Sequence, residues 1–200
     1  MRVGKVMNNS KELAKFKNLV IIIDRSTEHY QKGFTVLVVL GIWDSDSGAL
    51  KDIVHKKLKL KHGKKYGRVE KNSKKSKLKE AIMGRGQINL HQYIAFLKIY
   101  RTNVTGHIHK RDLPAGFFRD LEYWIKECKF VLGDKDIITI LKRLYPNIRV
   151  IEEKESSTTF KQYKHLMLLA DNIAYFARIA WNNHDYEFLK LLNINKIGKY

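Results

Sequence analysis

The 200-residue chain has one cysteine, Cys128, and two prolines, Pro114 and Pro146. A single thiol excludes an intramolecular disulfide and a cysteine zinc centre, and it suits a reducing compartment. In "ECKFVLGD" it reads as a small core residue. Two prolines leave no long proline-rich linker. The longest apolar run, residues 34–43, is far shorter than the roughly 20 residues a membrane helix needs. The opening "MRVGKVMNNSKELAKFKN" has no apolar core of a signal peptide. These absences lead to the expectation of a cytoplasmic protein without a membrane partner. There is no internal repeat and no Walker motif, and no Ser-His-Asp arrangement can be argued. "GRG" at 84–86 is too short for a phosphate loop, and "NVT" at 103–105 carries little weight without a secretion signal. Acids are scarce as well: 20 Asp and Glu face 39 Lys and Arg, a formal net charge of +19.

What is present fits one domain, residues 1–200, with a basic insertion or edge region around 51–86. An apolar fraction of 44% can fill a core. Residues 51–80 hold thirteen Lys or Arg against three acids, with Tyr66 as their one aromatic. Such a patch points first to nucleic acid and second to an anionic membrane. DNA or RNA is therefore the expected partner. Lys57, Lys59, Lys61, Lys64, Lys65, Arg68, Lys71, Lys74, Lys75 and Arg85 are the candidate backbone contacts. Lysine-rich contacts track phosphates and carry little base information. The oligomeric state is not legible.

Hydrophobic periodicity gives a sequence of elements. "LVIII" at 19–23 is a short buried strand, "STEHYQKG" a turn, and "FTVLVVLGIW" at 34–43 a second strand. "DSDSG" reads as a turn and "ALKDIVHKKLKLK" as a third strand with a charged edge. Helices are expected at 10–17 with Ser10 as cap, at 72–86, at 90–100, at 117–127, at 137–145 and at 162–183. Strands are expected at 129–134 and 148–153. A strand meander followed by strand-helix alternation is an α/β architecture: a mixed sheet, antiparallel then parallel, flanked by helices.

Four carboxylates stand at awkward places. Asp24 ends the first strand, where it could also cap a turn, and Asp134 ends "KFVLGD", where it could also form an Asx turn or cap the next helix, with Asp136 as its alternative on the same face. Asp171 lies inside the apolar helix "LMLLADNIAYF", where an ionised carboxylate needs a metal or an Arg or Lys partner. Glu70 is an isolated acid in the basic stretch, where it could also be one half of a solvated ion pair. Oxygen-only ligands suit Mg²⁺ or Mn²⁺, and two such ions would serve phosphodiester cleavage. The pair His107 and His109 in "GHIHKRD" would share one face if extended, but has no third metal-ligating partner; a phosphate-contacting loop or a solvated turn is the alternative. His29 and His165 lie near these segments and could carry protons, or be polar surface residues.

The order strand-Asp, hairpin, Glu, strand-Asp, late helix-Asp resembles the ribonuclease H-like superfamily. More narrowly, the chain resembles a widespread family of "domain of unknown function" proteins. These open with Tyr-Ile-Asp-Glu-Ser, carry Glu-x-Lys or Glu-Lys before a helix, and close with Leu-Gln-Leu-Ala-Asp-x-Ile-Ala. The counterparts here are "IIIDRST" at 21–27, "VEKNSKKSKL" at 69–78 and "LMLLADNIAYFAR" at 166–178, with "EEKESS" at 152–157 as a loose form of a basic-Ser stretch. Arg25 stands where that family has Glu. The resemblance implies a divalent-metal-dependent nuclease with Asp24, Glu70, Asp134 and Asp171 as its catalytic and metal-holding residues. The rival reading is a non-catalytic nucleic-acid-binding protein on the same scaffold.

Overall fold

A computed structural model describes residues 18–29, 33–125 and 128–196. The helix expected at 10–17, with Ser10 as its cap, lies outside them. Strand β1 (Leu19–Glu28) pairs antiparallel with β2 (Phe34–Trp43), and β2 pairs antiparallel with β3 (Ile94–Thr102). On the other side of β1 lie β4 (Phe130–Gly133) and β5 (Val150–Glu152), both parallel. With β6 (Ile194–Asn195) the order is β5-β4-β1-β2-β3-β6. Three meandering strands followed by two parallel ones make the expected mixed sheet, antiparallel then parallel.

Strand alternation sorts the core into two layers. Val20, Ile22, Val36, Val38, Leu40 and Ile42 face one way. They pack under α6 (Lys164–Asn182), with α1 (Ser47–Asp52), α2 (Arg68–Ile82) and α7 (Tyr186–Leu191) beside it. Leu19, Ile21, Ile23, Leu37 and Val39 face the opposite way, under α3 (Ala115–Ile125) and α4 (Lys135–Leu144). A short α5 (Glu153–Thr158) follows β5 directly. Two glycines permit close approach. A Cβ on Gly133 would sit 2.7 Å from the Ile23 carbonyl, so the Ile23–Gly133 pairing beside the cleft needs a bare α-carbon. A Cβ on Gly63 would meet the Tyr175 ring at 2.4 Å.

Three sequence expectations need correction. Residues 47–57 form α1 and a π-helical turn, not a strand. Leu50, Ile53, Val54 and Leu58 are buried at helical spacing, and this outweighs the Leu58–Leu60 alternation. The third strand is instead "IAFLKIYRT", expected to be helical. Its run Ile94, Ala95, Phe96, Leu97 is buried on both faces, which is how a covered strand and a buried helix come to read alike. Finally, β1 does not end at Asp24 but runs to Glu28. Thr27 and Thr35 share a hydrogen bond across the hairpin at 3.0 Å. Arg178 of α6 donates to Ser26 Oγ at 3.0 Å and pairs with Glu28.

Candidate active site

The carboxyl-terminal ends of the parallel strands share one edge of the sheet, where open α/β sheets place their ligands. Asp24, Asp134, Glu153 and Asp171 all line a cleft of about 500 Å³ at that edge. Around them stand Arg25, His29, His107, Tyr175 and Arg178. Each carboxylate arrives by a separate local rule. Asp24 follows the buried run of β1, opposite Val38. Asp134 caps α4, accepting the Asp136 N–H at 2.9 Å. Glu153 begins α5 where β5 stops. Asp171 stands on a strip of α6 that faces the cleft, its side chain 29% exposed.

The burial is therefore distributed otherwise than the sequence led us to expect. The helix is buried over most of its surface, yet Asp171 is not. Asp24 is the enclosed one, 8% exposed, and its carboxylate accepts a hydrogen bond from the Arg25 N–H at 2.8 Å. No cationic side chain pairs with it among the described residues. Burial raises its pKa well above the usual carboxylate value, and Asp171, Glu153 and Asp134 push in the same direction. The Arg25 N–H opposes them. Glu153 is raised too, first by burial and then by Asp134 and Asp171, with His62 acting against.

Asp171 Oδ2 accepts the Gly63 N–H at 3.1 Å and lies 3.4 Å from His62 Nδ1. The basic segment is thereby joined to the α6 wall of the cleft. Lys71 Nζ sits 5.9 Å from the centre of the Tyr175 ring, which lines the same wall. The loop is held from beneath. Tyr66 hydroxyl donates to Asn172 Oδ1 at 2.7 Å and accepts the Lys61 N–H at 3.0 Å, while Asn172 donates to the Lys61 carbonyl at 3.0 Å.

Of the sequence candidates, Asp24, Asp134 and Asp171 come together and Glu70 stays apart. Glu70 pairs with Lys61 at 2.7 Å on the surface, a contact that lowers its pKa. Glu153 is the carboxylate the sequence reading missed. Its signal was the end of the third parallel strand in "IRVIEE", the same structural position as Asp134. Asp136 turns away from the cleft and lines a neighbouring cavity of about 410 Å³ with His107 and His109. Burial raises its pKa, but the Ile108 N–H, His107 and Arg25 together outweigh that and lower it. Among the basic candidates, Lys57, Lys59, Lys65, Arg68 and Arg85 are exposed. Lys61 is committed to Glu70, Lys74 to the Leu58 carbonyl at 2.8 Å and Lys75 to Asp185 at 2.6 Å. The Lys64 side chain lies outside the described residues.

The donor set is right in kind for a hard divalent cation: oxygen only, clustered, and with one buried carboxylate lacking a cationic partner. Its spacing is open. Among the described residues no three His, Cys, Asp or Glu side chains are grouped closely enough to hold a metal ion as they stand. Among the described residues no helix is long and apolar enough to cross a membrane.

No protein-family model matches the chain, and no curated protein matches it. Among solved structures, the chain is similar to the crystal structure of the ribonuclease H2 from Pyrococcus horikoshii OT3, over 86% of this chain and 78% of that one, with 14% identity and a TM-score of 0.47.

Proposed function

We propose that the chain is a divalent-metal-dependent nuclease that hydrolyses phosphodiester bonds of DNA or RNA. The observation that carries this reading is the buried, cation-free Asp24 carboxylate at the floor of a cleft lined by Asp134, Glu153 and Asp171 and rimmed by basic groups. Asp24 has no cationic partner among the described residues, and Asp171, Glu153 and Asp134 repel it until a cation joins them. Asp24 and Asp171 would hold Mg²⁺ or Mn²⁺, with Glu153 beside them. A bound ion would polarise the phosphoryl oxygen and ease deprotonation of the attacking water.

The chain's own groups supply position and charge. Lys57, Lys65 and Arg68 would track the phosphate backbone, and Lys71 would lie over the Tyr175 wall as the strand enters the cleft. Arg178, held by Ser26 and Glu28, fixes the carboxyl end of β1 against α6 and so keeps Asp24 opposite Asp171. The exposed His29 and His107 border the cleft.

The test is incubation with labelled single-stranded and double-stranded DNA and RNA, in Mn²⁺ or in EDTA. Cleavage is expected with Mn²⁺ and none with EDTA. An Asp24→Asn, Asp171→Asn double variant should lose activity by at least about 10³-fold while still binding nucleic acid. Cleavage that survives in this variant would refute the site. The non-catalytic alternative is favoured by one observation, the engagement of Asp134 by Arg25. Metal-independent binding without cleavage would establish it.

A further inference from the structure

Asp24 and Arg25 are neighbours in sequence but lie on opposite faces of β1. Asp24 follows Val20 and Ile22 toward α6, and Arg25 follows Ile21 and Ile23 toward α4. There the guanidinium meets two carboxylates. Its Nε lies 3.3 Å from Asp134 Oδ2, and its Nη1 lies 3.1 Å from Asp136 Oδ2. The same Nη1 donates to the Gly106 carbonyl at 3.0 Å. Asp136 is further engaged by His107 at 3.2 Å and the Ile108 N–H at 3.2 Å. Asp134 is already occupied as the cap of α4. Asp134, at the α4 side of the cleft, and Asp136 behind it are thus both paired with a cation of the protein itself. At the α6 side, Asp24 has no such partner.

We infer that Arg25 is a built-in cation standing in for a second metal ion, so that the cleft binds one Mg²⁺ or Mn²⁺ per chain, on Asp24 and Asp171. The inference rests on the nuclease reading above and sharpens it. An arginine cannot surrender its proton to make way for a metal, so its charge is permanent. A second divalent ion at Asp134 would have to break two ion pairs and a carbonyl hydrogen bond, and then sit beside a fixed positive charge. A pair of carboxylates with water completing the shell is an ordinary arrangement for Mg²⁺. The guanidinium has a second consequence. It ties β1, the 106–108 loop and the first turn of α4 together, so the wall beside the cleft is braced before any metal arrives.

The experiment is titration of the whole chain with Mn²⁺ alone, with bound ions counted by calorimetry and by the electron paramagnetic resonance signal of free Mn²⁺. The wild-type chain should take one ion, and so should Arg25→Lys, which keeps the charge. Arg25→Gln should take two, the second more weakly, as Asp134 and Asp136 are released. Asp24→Asn should remove the first. Two ions on the wild-type chain, or one on a folded Arg25→Gln variant, would overturn the inference and leave the nuclease reading in place. No ion on the wild-type chain would overturn the nuclease reading itself. The wild-type count decides the matter even where Arg25→Gln fails to fold.

Discussion

His165 is a group whose role the residues around it decide. Its position near the apolar helix once made it a candidate proton carrier, but it is 2% exposed and does not line the cleft. Its neutral Nε2–H donates to the Ser47 carbonyl at 2.7 Å, pinning the start of α1 to α6. Burial draws its pKa down to about 4; the Ser47 carbonyl opposes, and His55 and Lys51 add to the drop. The unfolded chain therefore binds more protons between that value and the ordinary 6.5. Stability from this group is full above the unfolded value and is lost as pH falls toward 4. The whole shift corresponds to about 3 kcal/mol. Urea denaturation of the wild type should show falling stability across that window, and His165→Gln should flatten the slope. Among the site acids, Asp171 was legible because a carboxylate in an apolar helix demands a reason. Glu153 was not, because it sits among other acids in "EEKESS", where local composition hides its position at a strand end.

At the scale of elements, the α6 wall carries both the chemistry and the basic loop. The loop's attachment is a closed polar set of Tyr66, Asn172 and the Lys61 backbone. Tyr66→Phe would leave the Lys61 N–H and the Asn172 carbonyl oxygen each short of a partner. We expect a loss of about 1–3 kcal/mol in chemical denaturation, and weaker nucleic-acid binding as the loop loosens from Asp171. The long helix, the parallel strands and α4 were readable because each has one clear period and one clear boundary. Strand β3 was not. Its paired partner β2 lies about fifty residues earlier, and only that pairing distinguishes its buried run from a helix. The same remoteness explains Glu70. The sequence around it resembles a motif, but the side chain pairs with Lys61 on the surface.

For the whole molecule, the proposed nucleic-acid binding would be a matter of ionic strength, given the formal net charge of +19. With about six phosphate contacts, affinity for duplex should fall roughly 10³-fold between about 50 and 200 mM salt. Neutralising Lys57, Lys65 or Arg68 should each lower the logarithmic salt slope by about one, measured by fluorescence anisotropy. Neutralising Lys75 should instead register as lost stability, since it is paired with Asp185. The sheet itself acts as a partition, with an acid on one side of β1 and a base on the other at consecutive positions. Which side receives which is a question of parity. One neutral residue inserted into β1 ahead of Asp24 would leave the net charge untouched, yet exchange the two faces: the guanidinium would turn toward α6 and the carboxylate would meet Asp134 and Asp136. The same residue inserted beyond the strand pairing, in the hairpin connection, would change neither.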